Sequence, residues 1–278
     1  MFRDREEAGR RLGEDLRQRL TPAEGAVVVL GIPRGGVIVA ATVASALGAP
    51  LDVIVPRKLG APGNPELAVG ALALAGGEEI SLVDDRTVRA LGVSDAYLQE
   101  EIERQRREIL RREAAYREGR PPEPLEGRIA VLVDDGVATG LTARAAARAV
   151  SRRSPREVVI AVPVAPPETV REFETEGLRL EALETPSPFG AVGRFYVDFR
   201  QVEDDEVKAV LRTHRQGWRP GARLVIELGG ASGAPPRPPA RSAGVNPAAL
   251  AAVVLGYCSG AAVVLGYCSG LRGICVSG

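Results

Sequence analysis

Apolar positions along this chain follow two rhythms. Between residues 3 and 20, charges alternate with Leu12, Leu16 and Leu20 at four-residue spacing, which predicts a short amphipathic helix. Residues 27–32 are instead a continuous, β-branched apolar run that stops at Pro33-Arg34-Gly35-Gly36. Residues 37–47 are small and apolar and read as helix, and 51–55 is a second apolar run. Strands buried on both faces lack polar alternation, so this strand–loop–helix–strand unit predicts a parallel sheet.

Residues 57–66 hold two glycines and two prolines and are predicted to be an irregular loop. Residues 67–74 and 79–83 predict a hairpin across Gly76-Gly77. The charged segment 94–118 reads as a helix with Leu98, Ile102, Ile109 and Leu110 as its apolar stripe; its arginines at 104–112, with Glu101, Glu103, Glu108 and Glu113, predict a solvated face. Asp84 or Asp85 is expected to cap a helix. Further buried strands are predicted at 128–133, 157–164 and 178–183, with Pro166-Pro167-Glu168 opening a helix between the last two. A short strand near 194–199 and a helix over 203–216 close the pattern. The fold class is therefore α/β, an open and mostly parallel sheet. Ligands of such sheets collect at the carboxyl ends of the strands, where Arg34-Gly35-Gly36, Arg57-Lys58 and Asp134-Asp135 are all predicted to fall.

Beyond Trp218 the pattern changes. Residues 219–247 are rich in Gly, Pro, Ala and Arg and read as a disordered linker. The decapeptide AAVVLGYCSG at 251–260 recurs unchanged at 261–270. Residues 248–271 carry no charge and are long enough to span a bilayer, but four glycines, two serines and two cysteines argue against an anchor. A duplicated or misread end of the coding sequence is the preferred explanation.

Composition narrows the function classes. With 36 basic and 36 acidic residues the formal net charge is zero, which gives no general attraction to nucleic acid or an anionic membrane. The three cysteines all lie beyond residue 257, so neither a disulfide framework nor a thiolate metal cluster is expected in the body of the chain. His214 is the only histidine, which argues against a histidine metal site or a Ser-His-Asp triad; on its charged helix it reads as a surface residue. The charged N-terminus has no apolar signal region, so a cytoplasmic location is expected.

The chemistry concentrates in Ile129-Ala130-Val131-Leu132-Val133-Asp134-Asp135-Gly136-Val137-Ala138-Thr139-Gly140-Leu141-Thr142. An apolar strand delivers two carboxylates to a sheet edge, and a small-residue turn with two hydroxyls opens the next helix. A phosphate and a polyol side by side suit that arrangement. With this motif the chain resembles the type I phosphoribosyltransferases over about residues 1–218, in particular members carrying Pro-Arg-Gly-Gly-Val and Arg-Lys-x-Gly-Ala-Pro-Gly-Asn-Pro-Glu. The resemblance implies one domain with hood or lid segments near 57–83 and 185–200. It implies 5-phosphoribosyl 1-diphosphate as substrate, with Mg²⁺ on the diphosphate, through water to Asp134 or Asp135. It implies transfer of the sugar to a nitrogen nucleophile of the nucleobase kind, and a homodimer.

Residue by residue, Asp134 and Asp135 would hold the ribose 2′- and 3′-hydroxyls and favour the cationic sugar that forms as diphosphate leaves. The N–H groups of Gly136, Val137, Ala138, Thr139, Gly140, Leu141 and Thr142, with the two threonine hydroxyls, would cradle the 5′-phosphate. Arg34, Gly35 and Gly36 match the family's diphosphate loop, where glycine permits close backbone approach. Arg57 and Lys58 fall at the family's flexible lid, with Glu66 a further lid residue, and Phe195, Tyr196 and Asp198 fall where relatives contact the base. Two departures restrict the acceptor. Ala138 stands where the 6-oxopurine enzymes carry an acid, and the lysine- and histidine-containing lid of the orotate enzymes is missing. A non-catalytic protein that senses phosphoribosyl diphosphate is the alternative. The transferase reading requires acids that face the 139–142 turn and are not locked in ion pairs beneath the surface.

Overall fold

The structure, a computed structural model, describes residues 1–20, 26–217, 254–258 and 261–265, the last two segments as backbone alone. The chain divides into two units, Met1–Ile226 and Glu227–Gly278. The first opens with α1 (Arg5–Arg19), β1 (Val27–Gly31), α2 (Gly35–Leu47) and β2 (Leu51–Val53). A meander follows, of β3 (Arg57–Ala61), β4 (Asn64–Ala75) and β5 (Glu78–Val83), then α3 (Asp85–Leu91) and α4 (Asp95–Arg117). The chain returns through β6 (Ile129–Val133), α5 (Leu141–Ser151), β7 (Glu157–Val164), α6 (Pro167–Thr175) and β8 (Arg179–Glu184). A 3-10 turn at Val192–Phe195 and α7 (Asp204–Gly217) complete it.

The main sheet is parallel throughout, in the order β2-β1-β6-β7-β8. Strand order therefore reverses between β1 and β6, the switch point at which a crevice opens beyond the strand ends. Successive residues of a strand face opposite sides, and the core divides accordingly. Val27, Val29, Val131 and Val133 pack with Leu12, Leu16, Val43 and Leu211 on one side, whereas Val28, Leu30, Ala130 and Leu132 pack with Ala146, Val150 and Phe173 on the other. Helices cover both faces, which is why β1, β2 and β6 are buried at every position. Helix α1 is capped by Asp4, whose side chain accepts from the Glu7 N–H, and runs from Glu6 and Glu7 to Arg17 and Arg19 along its dipole. A Cβ at Gly13 would lie 2.7 Å from that of Ala46, so glycine lets α1 settle directly on α2.

Residues 57–66 are not an irregular loop. β3 and β4 form an antiparallel hairpin closed at Pro62-Gly63, with register shifts at Leu59/Gly60 and Gly60/Ala61. That irregularity absorbs the proline and the glycine: a Cβ at Gly60 would sit 2.8 Å from the Cα of Pro65. The β4–β5 hairpin across Gly76-Gly77 is present as expected. Leu72 and Leu74 join the core on one side of this small sheet, while Ala71, Ala73 and Ala75 join α5 on the other.

Helix α4 differs from its predicted pattern at two places. Leu110 is 54% exposed and lies off the apolar stripe. Glu101 is buried, where it accepts from the Gly60 N–H at 3.2 Å and from Gln105 Nε2 at 2.9 Å, so the helix face toward the hairpin is polar but dry. The 194–199 strand is absent; the 3-10 turn takes its place, and only a bridge between Phe2 and Tyr196 is strand-like. His214 is no plain surface residue, since its Nε2 lies 3.0 Å from the Ala49 carbonyl and burial lowers its pKa. Asp84 caps α3 through the Arg86 and Thr87 N–H groups.

In the second unit, β9 (Val254–Cys258) and β10 (Ala261–Leu265) pair antiparallel across the junction of the two decapeptides. The proposed linker at 219–247 lies outside the described residues, as does most of the uncharged 248–271 stretch. Among the described residues no helix is long and apolar enough to cross a membrane.

Candidate functional site

The neighbouring strands β1 and β6 each end in a turn that opens a helix, and the two turns meet. Helix α2 starts at Gly35 and α5 at Leu141, and neither has a side-chain cap. Apart from the Val37 N–H, which donates to the Arg34 carbonyl at 3.2 Å, the first-turn N–H groups of these helices have no partner within their helix. The acids lie between them. A Cβ on Gly36 would lie 2.8 Å from Asp134 Cα and Oδ1, and one on Gly35 would lie 2.8 Å from Asp135 Cγ and 2.6 Å from Arg5 Nε. The glycines at 35 and 36 are thus required by the carboxylates of the adjacent strand, whatever else they approach. The peptide joining Pro33 and Arg34 is cis.

The two acids are not equivalent. Asp135 is ion-paired to Arg5, Nε to Oδ2 at 2.8 Å, with its side chain 16% exposed. This departs from the expectation that both acids are unpaired. Burial pushes its carboxyl up, and Arg5 works against that rise. Asp134 has no cation partner among the described residues; its Oδ1 accepts from the Asp135 N–H at 2.8 Å. Burial and the neighbouring Asp135 charge hold its carboxyl well above the usual carboxylate range. The Arg5 charge offsets that rise only in part.

The turn behind the acids is pinned from below. The Val137 N–H, expected at the 5′-phosphate, is instead taken by the Val164 carbonyl at 3.0 Å, and Thr169 Oγ1 donates to the Ala138 carbonyl at 2.6 Å. Arg144 donates to the Thr139 carbonyl while stacked 4.3 Å from the Phe173 ring and paired with Glu172 and Glu176. Gly140 has φ +74°, and a Cβ there would meet Phe173 at 2.5 Å. With their carbonyls fixed inward, Ala138 and Thr139 are exposed, Leu141 and Thr142 half-buried.

The remaining expected residues are dispersed. Arg34 begins α2 and reaches Glu203 at 3.4 Å. Arg57 is half-buried against Gln105, Nε to Oε1 at 3.0 Å, and burial and the nearby Arg112 lower its pKa. Lys58 is exposed on β3, and Glu66 is exposed beyond the hairpin tip. Tyr196 offers no face to a base. It is 5% exposed, packs on Phe2 and Phe199, and donates its hydroxyl to the Asp135 carbonyl at 2.6 Å, an environment that raises its pKa. Phe195 stacks on Phe189 at 5.0 Å between centroids, and the Asp198 carboxylate accepts from the Arg200 N–H.

Residues 4–200 match the family model described as the phosphoribosyl transferase domain. The chain belongs to the phosphoribosyltransferase family. It is 46% identical over 224 residues to two Mycobacterium tuberculosis proteins, named "Putative phosphoribosyl transferase Rv0571c" (strain H37Rv) and "Putative phosphoribosyl transferase MT0597" (strain CDC 1551). The match covers 80% of this chain but 49% of each relative, so the chain spans about half the length of the curated proteins it resembles. A crystal structure of TT1426 from Thermus thermophilus is 46% identical, covers 76% of this chain and 97% of its own, and superposes with a TM-score of 0.62. In this member of the family the expected motif and the glycine pair converge. Arg5, Thr169 and Arg144 were missed by the sequence reading, although Arg5 carried a signal: with Ala8, Leu12 and Leu16 it lies on the buried stripe of α1.

Proposed function

We propose that the crevice binds 5-phosphoribosyl 1-diphosphate and transfers its sugar to a nitrogen nucleophile. The observation that carries this reading is the meeting of two uncapped helix starts around a carboxylate pair. One start suits the 5′-phosphate and the other the diphosphate, each by N–H groups and dipole. Between them Asp134 and Asp135 accept from the ribose hydroxyls. In the reaction the bond from C1 to the diphosphate oxygen breaks and its electron pair leaves with the diphosphate. A bond from nitrogen to C1 forms, and the nucleophile releases its proton. Positive charge gathers on the sugar on the way, and a buried carboxylate pair favours it electrostatically. The Arg34 fork, at the start of α2, balances charge on the leaving group.

Among the described residues no cluster of three or more His, Cys, Asp or Glu side chains forms a cage for a metal. Mg²⁺ is commonly held by one or two carboxylates together with substrate phosphates, and the acid pair fits that partial role through water. Bound so, the ion would neutralise developing charge on the diphosphate. The acceptor is of nucleobase kind, with Ala138 leaving it no carboxylate at that point of the turn.

Calorimetric titration with phosphoribosyl diphosphate, with and without Mg²⁺, tests binding. Exchange of labelled diphosphate into the substrate, over a panel of nucleobases, tests transfer. Binding with base-dependent exchange, lost in the Asp134→Asn, Asp135→Asn double variant while its circular dichroism is unchanged, is the expected result. Binding without exchange for any base would leave a sensor, and no binding at all would end the reading.

A further inference from the structure

Arg5 stands 130 positions before its partner Asp135 and belongs to none of the motifs that mark the site. It is nonetheless held at three points. Its Nε donates to Asp135 Oδ2 at 2.8 Å, its Nη1 donates to the Arg200 carbonyl at 2.9 Å, and its guanidinium lies 4.0 Å from the centre of the Phe199 ring. It is 8% exposed. An arginine so stacked and bonded has lost its rotamer freedom, and the planar fork fixes the direction from which it meets a carboxylate. Asp135 is fixed in turn by Tyr196, whose hydroxyl takes its carbonyl, and by Asp134, which takes its N–H. Arg5 engages Oδ2 through Nε, a single contact and not a bidentate fork. The carboxylate is therefore oriented without being enclosed.

We propose that Arg5 is a positioning residue, setting through Asp135 the angle at which the acid pair meets the sugar hydroxyls. This rests on the proposed function above, and it assigns to the N-terminal helix a part in sugar recognition. The geometry gives it a selective effect: its hydrogen bonds go to the hydroxyl acceptor and the Arg200 carbonyl, at the α2 start it only packs beneath Gly35, and the α5 turn has its own supports in Thr169 and Arg144.

That selectivity can be read with two probes on the full chain, ribose 5-phosphate and inorganic diphosphate, by calorimetry. Arg5→Gln should weaken ribose 5-phosphate roughly ten- to hundredfold, the effect of one hydrogen bond to a charged group. Diphosphate affinity should stay within about twofold, too small a change to represent such a bond. Arg5→Lys should recover part of the loss, because it keeps the charge but not the planar fork. Combining Arg5→Gln with Asp135→Asn should weaken ribose 5-phosphate no further than Asp135→Asn alone, as expected when two residues act as one unit. Phe199→Leu, which removes the stacking but leaves both charges, keeps the question open to test if Arg5→Gln fails to fold; it should weaken ribose 5-phosphate and spare diphosphate. Equal ribose 5-phosphate affinity in wild type and Arg5→Gln would overturn the inference, as would parallel loss of both probes. Wild-type protein that binds neither probe would instead overturn the proposed function.

Discussion

Gly35→Ala is the sharpest perturbation of this site, because alanine is acceptable to the backbone and only space forbids it. Gly35 opens α2 and is not among the residues of positive φ. Its added methyl would lie 2.6 Å from Arg5 Nε and 2.8 Å from Asp135 Cγ, with Asp135 Oδ2 closer still. Neither atom belongs to a freely moving side-chain end: Arg5 is stacked on Phe199 and Asp135 is tied through its backbone to Tyr196. The pair must separate or α2 must shift. Breaking a buried pair by removing one partner costs about 3–5 kcal/mol. Here both charges survive and Arg5 retains the Arg200 carbonyl, while alanine regains up to about 1 kcal/mol of helix propensity. The net expectation is a loss of about 2–4 kcal/mol by these two terms. Urea unfolding followed by circular dichroism measures it, with ribose 5-phosphate titration on the same samples. Gly63→Ala at the hairpin tip is the control. Its φ of +73° and empty surroundings predict a loss of about 1–2 kcal/mol from backbone conformation alone, with sugar-phosphate binding unchanged. A Gly35→Ala variant within about 0.5 kcal/mol of wild type, the usual range for inconsequential substitutions, would refute the packing argument.

Two further expectations concern the turn between β6 and α5. The Asp134 carboxyl titrates above its ordinary value in the folded chain because burial, then Asp135, disfavours its charge. Its proton is bound more tightly folded than unfolded, so this stabilising contribution is complete below the ordinary carboxylate range and lost as pH rises through the raised value. Asp134→Asn should therefore gain on wild type as pH rises from about 4, the ordinary carboxylate value. By neutral pH the advantage should reach the roughly 0.5–2 kcal/mol typical of stabilising substitutions; a difference flat across pH in thermal unfolding would contradict the sign. Gly140→Ala combines a left-handed φ with a methyl 2.5 Å from Phe173. It should cost about 2–3 kcal/mol, of which about 1–2 is backbone, and it should weaken inorganic phosphate binding in the calorimeter; unaltered stability and binding would count against the pinned turn.

The parallel sheet was legible because its strands are buried on both sides, so 27–32 and 128–133 are apolar almost without interruption. The acid pair was legible because two adjacent aspartates after such a strand have no packing purpose. What the sequence hid was mostly polar and distant. Glu101 and Gln105 look like any solvated helix residues until Gly60 and Arg57 are brought against them by the hairpin. Residues 57–66 were misread because proline and glycine signal a break locally, whereas the register shift that accommodates them is a property of the paired strand. Tyr196 was placed near a base by resemblance alone, because the residues around it say nothing of Phe2, which arrives from the far end of the unit.

That arrival has a temporal side. The Phe2 N–H donates to the Phe195 carbonyl, the Val197 N–H returns to Phe2, and the Asp198 N–H reaches Arg3. During synthesis, these residues must wait for nearly the whole first unit to emerge before they find these partners, which lie more than 190 positions away. A nascent chain halted just after α5 would already hold both aspartates, but not the strand-like seam that anchors the guanidinium beside them. Binding competence would then appear late and in one step, with the docking of residues 2–5 onto 195–200.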